Sequence, residues 1–365
     1  MTIRMPYEER LKKLQDKFQQ MRIDALLITH MPNIRYLVGF TGTSGILLVG
    51  RSECVFITDG RYDAQAHEEV KGAKVKIAPR RKSYFDVAAS LLRRWGIGAI
   101  GIEAERISVA QFERLKGLLH KVKVRKLDGV VERMRSIKDE AELQFLRKAA
   151  GVADAAYEHA LSVIRPGVKE RDVALELERF IKSSGAEDIS FDIIVASGYR
   201  SAMAHGIASD KVIERGDLVV LDFGAVCDGY HSDLTRTVAV GGADKMGRSI
   251  YSAVLRAQLA AIEEVRSGKT MKQVEAVARR ELRSSGYERH FKHGIGHGVG
   301  LEIHELPSPK QSGGGLMEAG CVVTIEPGVY IEGVCGVRIE DMVLVKQDGC
   351  EVLTSAQKES ELPVL

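Results

Sequence analysis

Four carboxylates and one imidazole dominate this chain: Asp222, Asp233, His297, Glu326 and Glu340, each set in a short apolar or Gly-rich segment. An ionised carboxylate in an apolar strand is costly unless it is paired or bound to a cation. The set is rich in hard oxygen donors. It is also too large for one zinc ion, which usually takes four ligands and prefers nitrogen and sulfur. It suits a pair of divalent ions sharing bridging carboxylates. Two such ions, roughly 3.5–4 Å apart, can activate one water and clamp one reacting carbonyl.

The 365 residues are enough for about two domains, each with its own core. A net charge of +3 is too small to make nucleic acid the main partner. No apolar run approaches the roughly 20 residues that span a bilayer, so no membrane partner is expected. Residues 1–20 are charged, helical in pattern and unlike a signal peptide. The five cysteines are scattered and form no CxxC pair, which fits the reduced thiols of a cytoplasm. Cys227 and Cys335 fall near the candidate ligands and read as small packing residues.

Residues 1–22 carry Leu11, Leu14, Phe18 and Met21 at helical spacing. Short apolar runs follow at 25–29, 36–40, 45–49 and 54–58. Helical stretches near 61–70, 84–95 and 109–120 then alternate with strand-like 99–102 and 122–126. Strands interleaved with helices predict an α/β first domain over 1–130. It holds His30, His67 and His120, but no cluster and no evident chemistry. A polar boundary near 128–138 leads into a second domain, 134–365. A long helix there runs to about 164, stopped by Arg165-Pro166-Gly167, and a second covers 169–183. Strands are expected at 192–196, 218–224, 235–240, 321–326 and 334–345, and further helices at 245–267 and 271–284. Helices in two pairs separated by strands predict an α+β domain with a possible internal repeat, although sequence self-similarity is weak.

Asp222 ends LVVLDFG (218–224), and Asp233 follows eleven residues later in YHSDLTRT (230–237). Two antiparallel strands joined by a turn at Cys227-Asp228-Gly229 would aim both side chains at one point. The plainer alternative is that Asp222 caps a turn and Asp233 pairs with Arg236. Glu326 ends VTIE before Pro327-Gly328. In VRIED, Arg338 and Glu340 share one strand face, so Arg338 either orients a site carboxylate or belongs to a structural ion pair. Asp341 should point away from Glu340. The segment HGIGHGVGLEIHE (293–305) carries three histidines among four glycines that deny it a stable helix. It is neither HExxH nor a phosphate-binding loop. His205 and His231 are weaker candidates, and His290 reads as surface. No serine or cysteine stands in a nucleophile frame.

The order Asp, Asp, His, Glu, Glu, together with HGxGHGxGLxxHE, TIEPG and VRIED, resembles the metallopeptidases of the methionine aminopeptidase/prolidase group, which have the pita-bread fold. The likeness to the Xaa-Pro branch spans nearly the whole chain and implies a creatinase-like N-terminal domain. It implies that Asp222 holds one metal, Asp233 and Glu340 bridge two, and His297 and Glu326 complete the other shell. Glu326 would also carry the proton of the attacking water. His205 and His304 match histidines that hydrogen-bond the substrate carbonyl. His293 matches a further site histidine, and Arg338 the arginine beside the final glutamate. Two divalent ions are implied, manganese by analogy, with cobalt, zinc or iron as alternatives. A homodimer is also implied. The expected partners are proline-containing peptides or dipeptides. Xaa-Pro dipeptidases of microbes often carry an arginine shortly after the His-Glu pair, whereas HELPSPK (304–310) has only Lys310. That departure favours an Xaa-Pro aminopeptidase over a dipeptidase. A non-catalytic binding protein, or a lyase or other hydrolase on the same scaffold, is the alternative of another class.

Overall fold

The computed structural model describes residues 5–310 and 313–365. Two compact units divide between Arg135 and Ser136. In the first, a six-stranded sheet runs in the spatial order Lys74–Ile77, Cys54–Thr58, Ile46–Gly50, Ala25–Ile28, Ala99–Glu103, Lys123–Leu127. Ala25–Ile28, Ala99–Glu103 and Lys123–Leu127 are parallel, and Ile46–Gly50 pairs antiparallel with both of its neighbours. Helices Tyr84–Trp95 and Val109–Leu118 each begin with a serine capping box, at Ser83 and Ser108.

Two expectations for this unit need correction. The apolar run 36–40 is not a strand: Tyr36–Val38 form the last turn of helix Met31–Val38. Pro32 presets the first turn, Ile34, Leu37 and Val38 pack inward at helical spacing, and Gly39 ends the helix at φ +83°. Lys74–Ile77 is an additional strand. Its KVKI pattern alternates exposed lysines with half-buried apolar residues at the sheet edge, where lysine discourages further pairing.

The second unit is built twice from one plan. Helices Glu140–Val163 and Glu170–Ser183 cover an antiparallel sheet ordered Leu234–Ala239, Leu218–Phe223, Ile194–Ser197. Tyr157, Val173 and Leu177 pack there on Val195, Val219 and Leu221. Helices Lys245–Glu264 and Met271–Ser284 cover a second antiparallel sheet ordered Val322–Ile325, Asp341–Val345, Cys350–Val352. Val254, Val274 and Ala278 pack there on Val323, Ile325 and Val343. This double arrangement of helix pair and sheet is the pita-bread plan. The helices start where the sequence offers caps: Asp139 with Glu142, Asp244, and Thr270 with Gln273. The segment 334–345 is not one strand. It breaks at Ile339–Glu340 into Cys335–Arg338, which pairs with Gly328–Ile331, and Asp341–Val345. No helix among the described residues is long and apolar enough to cross a membrane.

Candidate metal centre

Asp222 lies on the central strand of the first sheet, directly opposite Thr235. Asp233 is two residues before Thr235, so alternation turns all three side chains to one face. The connection is the hairpin Ala225–Cys227 to Tyr230–His231, turning at Asp228 (φ +51°) and Gly229 (φ +77°). The alternative pairing of Asp233 with Arg236 does not form: Arg236 Nη2 donates to Asp341 Oδ1 at 2.8 Å instead.

Glu326 follows strand Val322–Ile325, and Glu340 sits in the break before Asp341–Val345. Arg338, two residues ahead of Glu340, shares its face. Loop 295–298 lies along the second sheet, with Glu326 N donating to Ile295 O at 2.8 Å and Thr324 N to His297 O at 2.8 Å. Gly296 makes this possible: its φ is +157°, and a Cβ there would stand 2.0 Å from Thr324 O. The close approach carries His297 to Glu326 and Asp233, at 3.6 and 3.5 Å from Nε2. Ligand atoms of Asp233, His297 and Glu340 all lie within 4.8 Å of one another.

The chemistry of this cluster fits a cation. Burial raises the pKa of Asp222, Asp233 and Glu340, and the neighbouring carboxylates raise it further; for Asp222 the Arg338 charge opposes them. Asp222 Oδ1 and Glu340 Oε1 are buried without a hydrogen-bond partner. His297 Nδ1 lies 3.1 Å from Gly298 O. A carbonyl only accepts, so the neutral ring carries its proton on Nδ1 and presents the bare Nε2 to the carboxylates.

Arg338 donates to Asp222 Oδ2 through Nη2, to Thr235 Oγ1 through Nε (3.1 Å) and to Tyr330 Oη through Nη1 (2.7 Å). Tyr330 Oη in turn lies 3.0 Å from His293 Nε2, and His293 Nδ1 lies 2.8 Å from Gly294 O. The chain therefore runs one way, Arg338 to Tyr330 to His293 to Gly294 O. Burial pushes the Tyr330 hydroxyl up to about 12 and lowers the pKa of His293. The His304 ring stands edge-on to His297, centroids 4.2 Å apart; burial and then the His297 charge lower its pKa. His205 is exposed, on the loop after Gly198–Ala202, and its charge reaches both His293 and His304. Arg338 Nη1 also donates to Ala204 O at 3.0 Å, steadying that loop.

The structure brings ligand atoms of Asp233, His297 and Glu340 within 4.8 Å of one another. Glu326 and His304 stand against His297, Arg338 links Asp222 to Thr235, and His205 is connected to the cluster only by its charge on His293 and His304. His231 instead uses its backbone N–H on Gly300 O, and His290 is half-buried beside Arg289. Three participants escaped the sequence reading. Thr235 donates to Glu340 Oε2 at 2.6 Å, and Thr324 donates to Glu326 Oε1 at 3.3 Å. Each stands two residues from a candidate acid, so strand alternation could have flagged both. Tyr330 gave no such signal, because it meets Arg338 only through the hairpin pairing Gly328–Ile331 with Cys335–Arg338.

Residues 144–347 match metallopeptidase family M24, and residues 10–137 match the creatinase/prolidase N-terminal domain. The chain is 40% identical to an Xaa-Pro dipeptidase of Pyrococcus horikoshii, over 96% of this chain and 98% of the relative. Among solved structures, an Xaa-Pro dipeptidase from Bacillus anthracis superposes with a TM-score of 0.93 at 42% identity, covering 98% of this chain and 99% of that one. An X-Pro aminopeptidase from Thermotoga maritima gives 0.89 at 36% identity, covering 97% and 99%.

Proposed function

The chain belongs to metallopeptidase family M24, with a creatinase/prolidase N-terminal domain, and on that premise we propose that it is a metal-dependent exopeptidase hydrolysing Xaa-Pro bonds, as an Xaa-Pro dipeptidase. The observation that carries the chemistry is the meeting of buried, under-partnered carboxylates with the bare Nε2 of His297. The dipeptidase reading draws its support from relatives of that name at about 40% identity over nearly the full chain.

Asp222, Asp233, His297, Glu326 and Glu340 would hold two divalent ions, manganese by analogy with the family, since the oxygen-rich donor set admits cobalt, iron and zinc as well. Such ions supply an acidified water, with a pKa near ~7, and a polarising charge for the scissile carbonyl. The protein's own groups do the rest. Glu326 takes the water proton and delivers it to the prolyl nitrogen as the C–N bond breaks and the C–O bond forms. His205 and His304 donate N–H bonds to the carbonyl oxygen as it gains charge. Arg338 holds Asp222, and Tyr330 holds His293 at the edge of the cluster. A prolyl amide has no N–H, so recognition falls to these donors and to the shape of the proline ring. A homodimer and a cytoplasmic setting extend this reading; the former rests on the family resemblance, the latter on five unpaired cysteines.

The alternative reading is an Xaa-Pro aminopeptidase, favoured by one observation. Segment 304–310 offers no arginine for a free proline carboxylate, only the exposed Lys310. Apo protein refilled with each of Mn, Co, Zn and Fe, and assayed on Xaa-Pro and Xaa-Pro-Yaa peptides, separates the two. A dipeptidase prefers the two-residue substrate. Preference for the longer peptides establishes the aminopeptidase, and no cleavage of either under any ion overturns both.

A further inference from the structure

Lys138 and Glu305 form an ion pair in the interior of the second unit. Nζ lies 2.7 Å from Oε1, and the side chains are 0% and 3% exposed. They are 167 residues apart in sequence. Lys138 lies just ahead of helix Glu140–Val163 and is itself pinned by its backbone N–H to Gly320 O at 2.9 Å. Glu305 directly follows His304. Of residues 302–306 only Glu305 is buried; His304 beside it is exposed.

The loop carrying these two residues folds back on the His297 segment. Glu305 N donates to Gly298 O at 2.9 Å, and Gly298 N to Pro307 O at 2.7 Å. The Glu305 carboxylate rests against Gly300, where a Cβ would stand 2.4 Å from Oε1. The buried ion pair and these backbone bonds together hold the loop against the His297 segment, with the His304 ring 4.2 Å from the His297 ring. Apolar side chains of similar volume commonly replace a buried ion pair without loss. What a charged pair adds is a short, directional bond that fixes the depth and angle of the residue carrying it.

We propose that Lys138 and Glu305 are positioning residues for the reaction, holding His304 over His297 where it meets the substrate carbonyl. The kinetic part rests on the Xaa-Pro peptidase reading; the geometric part does not.

The test compares the metal-loaded full-length protein with its variants Lys138→Met, Glu305→Gln and the Lys138→Met/Glu305→Gln double, by crystal structure and by kinetics on an Xaa-Pro dipeptide. The His304–His297 ring separation is expected to depart from 4.2 Å in each variant. The expected fall in kcat is about 10- to 100-fold, with KM and bound metal near the wild-type values and Lys138→Arg restoring most of the rate. In a His304→Ala background, Lys138→Met should cost nothing further. An unmoved ring pair overturns the proposal. So does an equal loss of kcat with and without His304. If the single variants fail to fold, the double variant, which leaves no unpaired charge, decides on the same two readouts. If the wild type cleaves no Xaa-Pro peptide, the function reading fails and the ring geometry alone judges the positioning.

Discussion

The first unit and the candidate metal centre of the second both bury carboxylates, and they supply them with different numbers of donors. In the first unit Glu103 ends a sheet strand and accepts from Thr29 N (2.6 Å), Thr29 Oγ1 (3.1 Å), His30 N (3.0 Å) and Asn33 Nδ2 (2.7 Å). In the second, Asp222 and Glu340 each leave one buried oxygen with no donor, and Asp233 shares their crowding. The contrast recurs between adjacent residues. Asp341 is wholly buried yet bonded to Arg236, Lys358, Gln258 and Thr354. Although burial pushes its pKa up, the Arg236 and Lys358 charges bring it below the ordinary value, whereas Glu340 beside it stands well above. A satisfied buried acid closes a structure. An unsatisfied cluster of them leaves room for a cation, and the difference lies in donor count rather than depth.

The largest effect expected from breaking this contrast is at Glu326. Glu326→Gln keeps the shape and removes the base, so kcat on an Xaa-Pro peptide should fall by about 10²–10⁴-fold. Turnover at the wild-type rate would remove the proposed proton route.

The neighbouring acids come next. Asp341→Asn leaves Arg236 and Lys358 short of their counter-charge and should destabilise the protein by about 3–5 kcal/mol in denaturant titrations. Glu340→Gln should leave the chelated protein no less stable, because it relieves repulsion, while abolishing the rise in Tm on adding metal. The chelated wild type should also respond to pH in a defined direction. Asp233 and Glu340 titrate above their ordinary 3.8 and 4.5, so the native state keeps protons that the unfolded chain has lost. Their contribution is complete below the ordinary values and is lost as pH rises through the raised ones. Melting curves should show Tm of the chelated protein falling over that window, and metal stabilising it by about 3 kcal/mol at a hundredfold excess over Kd. A flat profile would mean that the acids are satisfied by something other than a cation.

The smallest effect is at Glu103. Glu103→Gln replaces a carboxylate whose partners are all donors and should cost about 1–3 kcal/mol. The folded fraction should keep its kcat, since Glu103 takes no part in the chemistry. A loss of metal content in this variant would erase the distinction between the two kinds of buried acid.

Much of the fold was legible because its signals are local. Ser83, Ser108, Asp139 and Thr270 mark helix starts within four residues of sequence, and Gly167 marks a turn at positive φ after the long helix. The errors were local as well. The run 36–40 is too short for periodicity to tell a buried helical turn from a strand, and the lysines of Lys74–Ile77 hid an edge strand.

The sequence by itself determined the candidate donors, the histidine-glycine loop and the family, because residue type and spacing persist whatever the surrounding packing does. Only the tertiary structure decided which buried acids are satisfied. Arg236 meets Asp341 across 105 residues, Arg338 meets Asp222 across 116, and Lys138 meets Glu305 across 167. No pattern with a period of two or 3.6 residues carries such distances. They follow from the two helix-and-sheet halves of the second unit bringing distant segments together, where each donor given to one carboxylate is withheld from another.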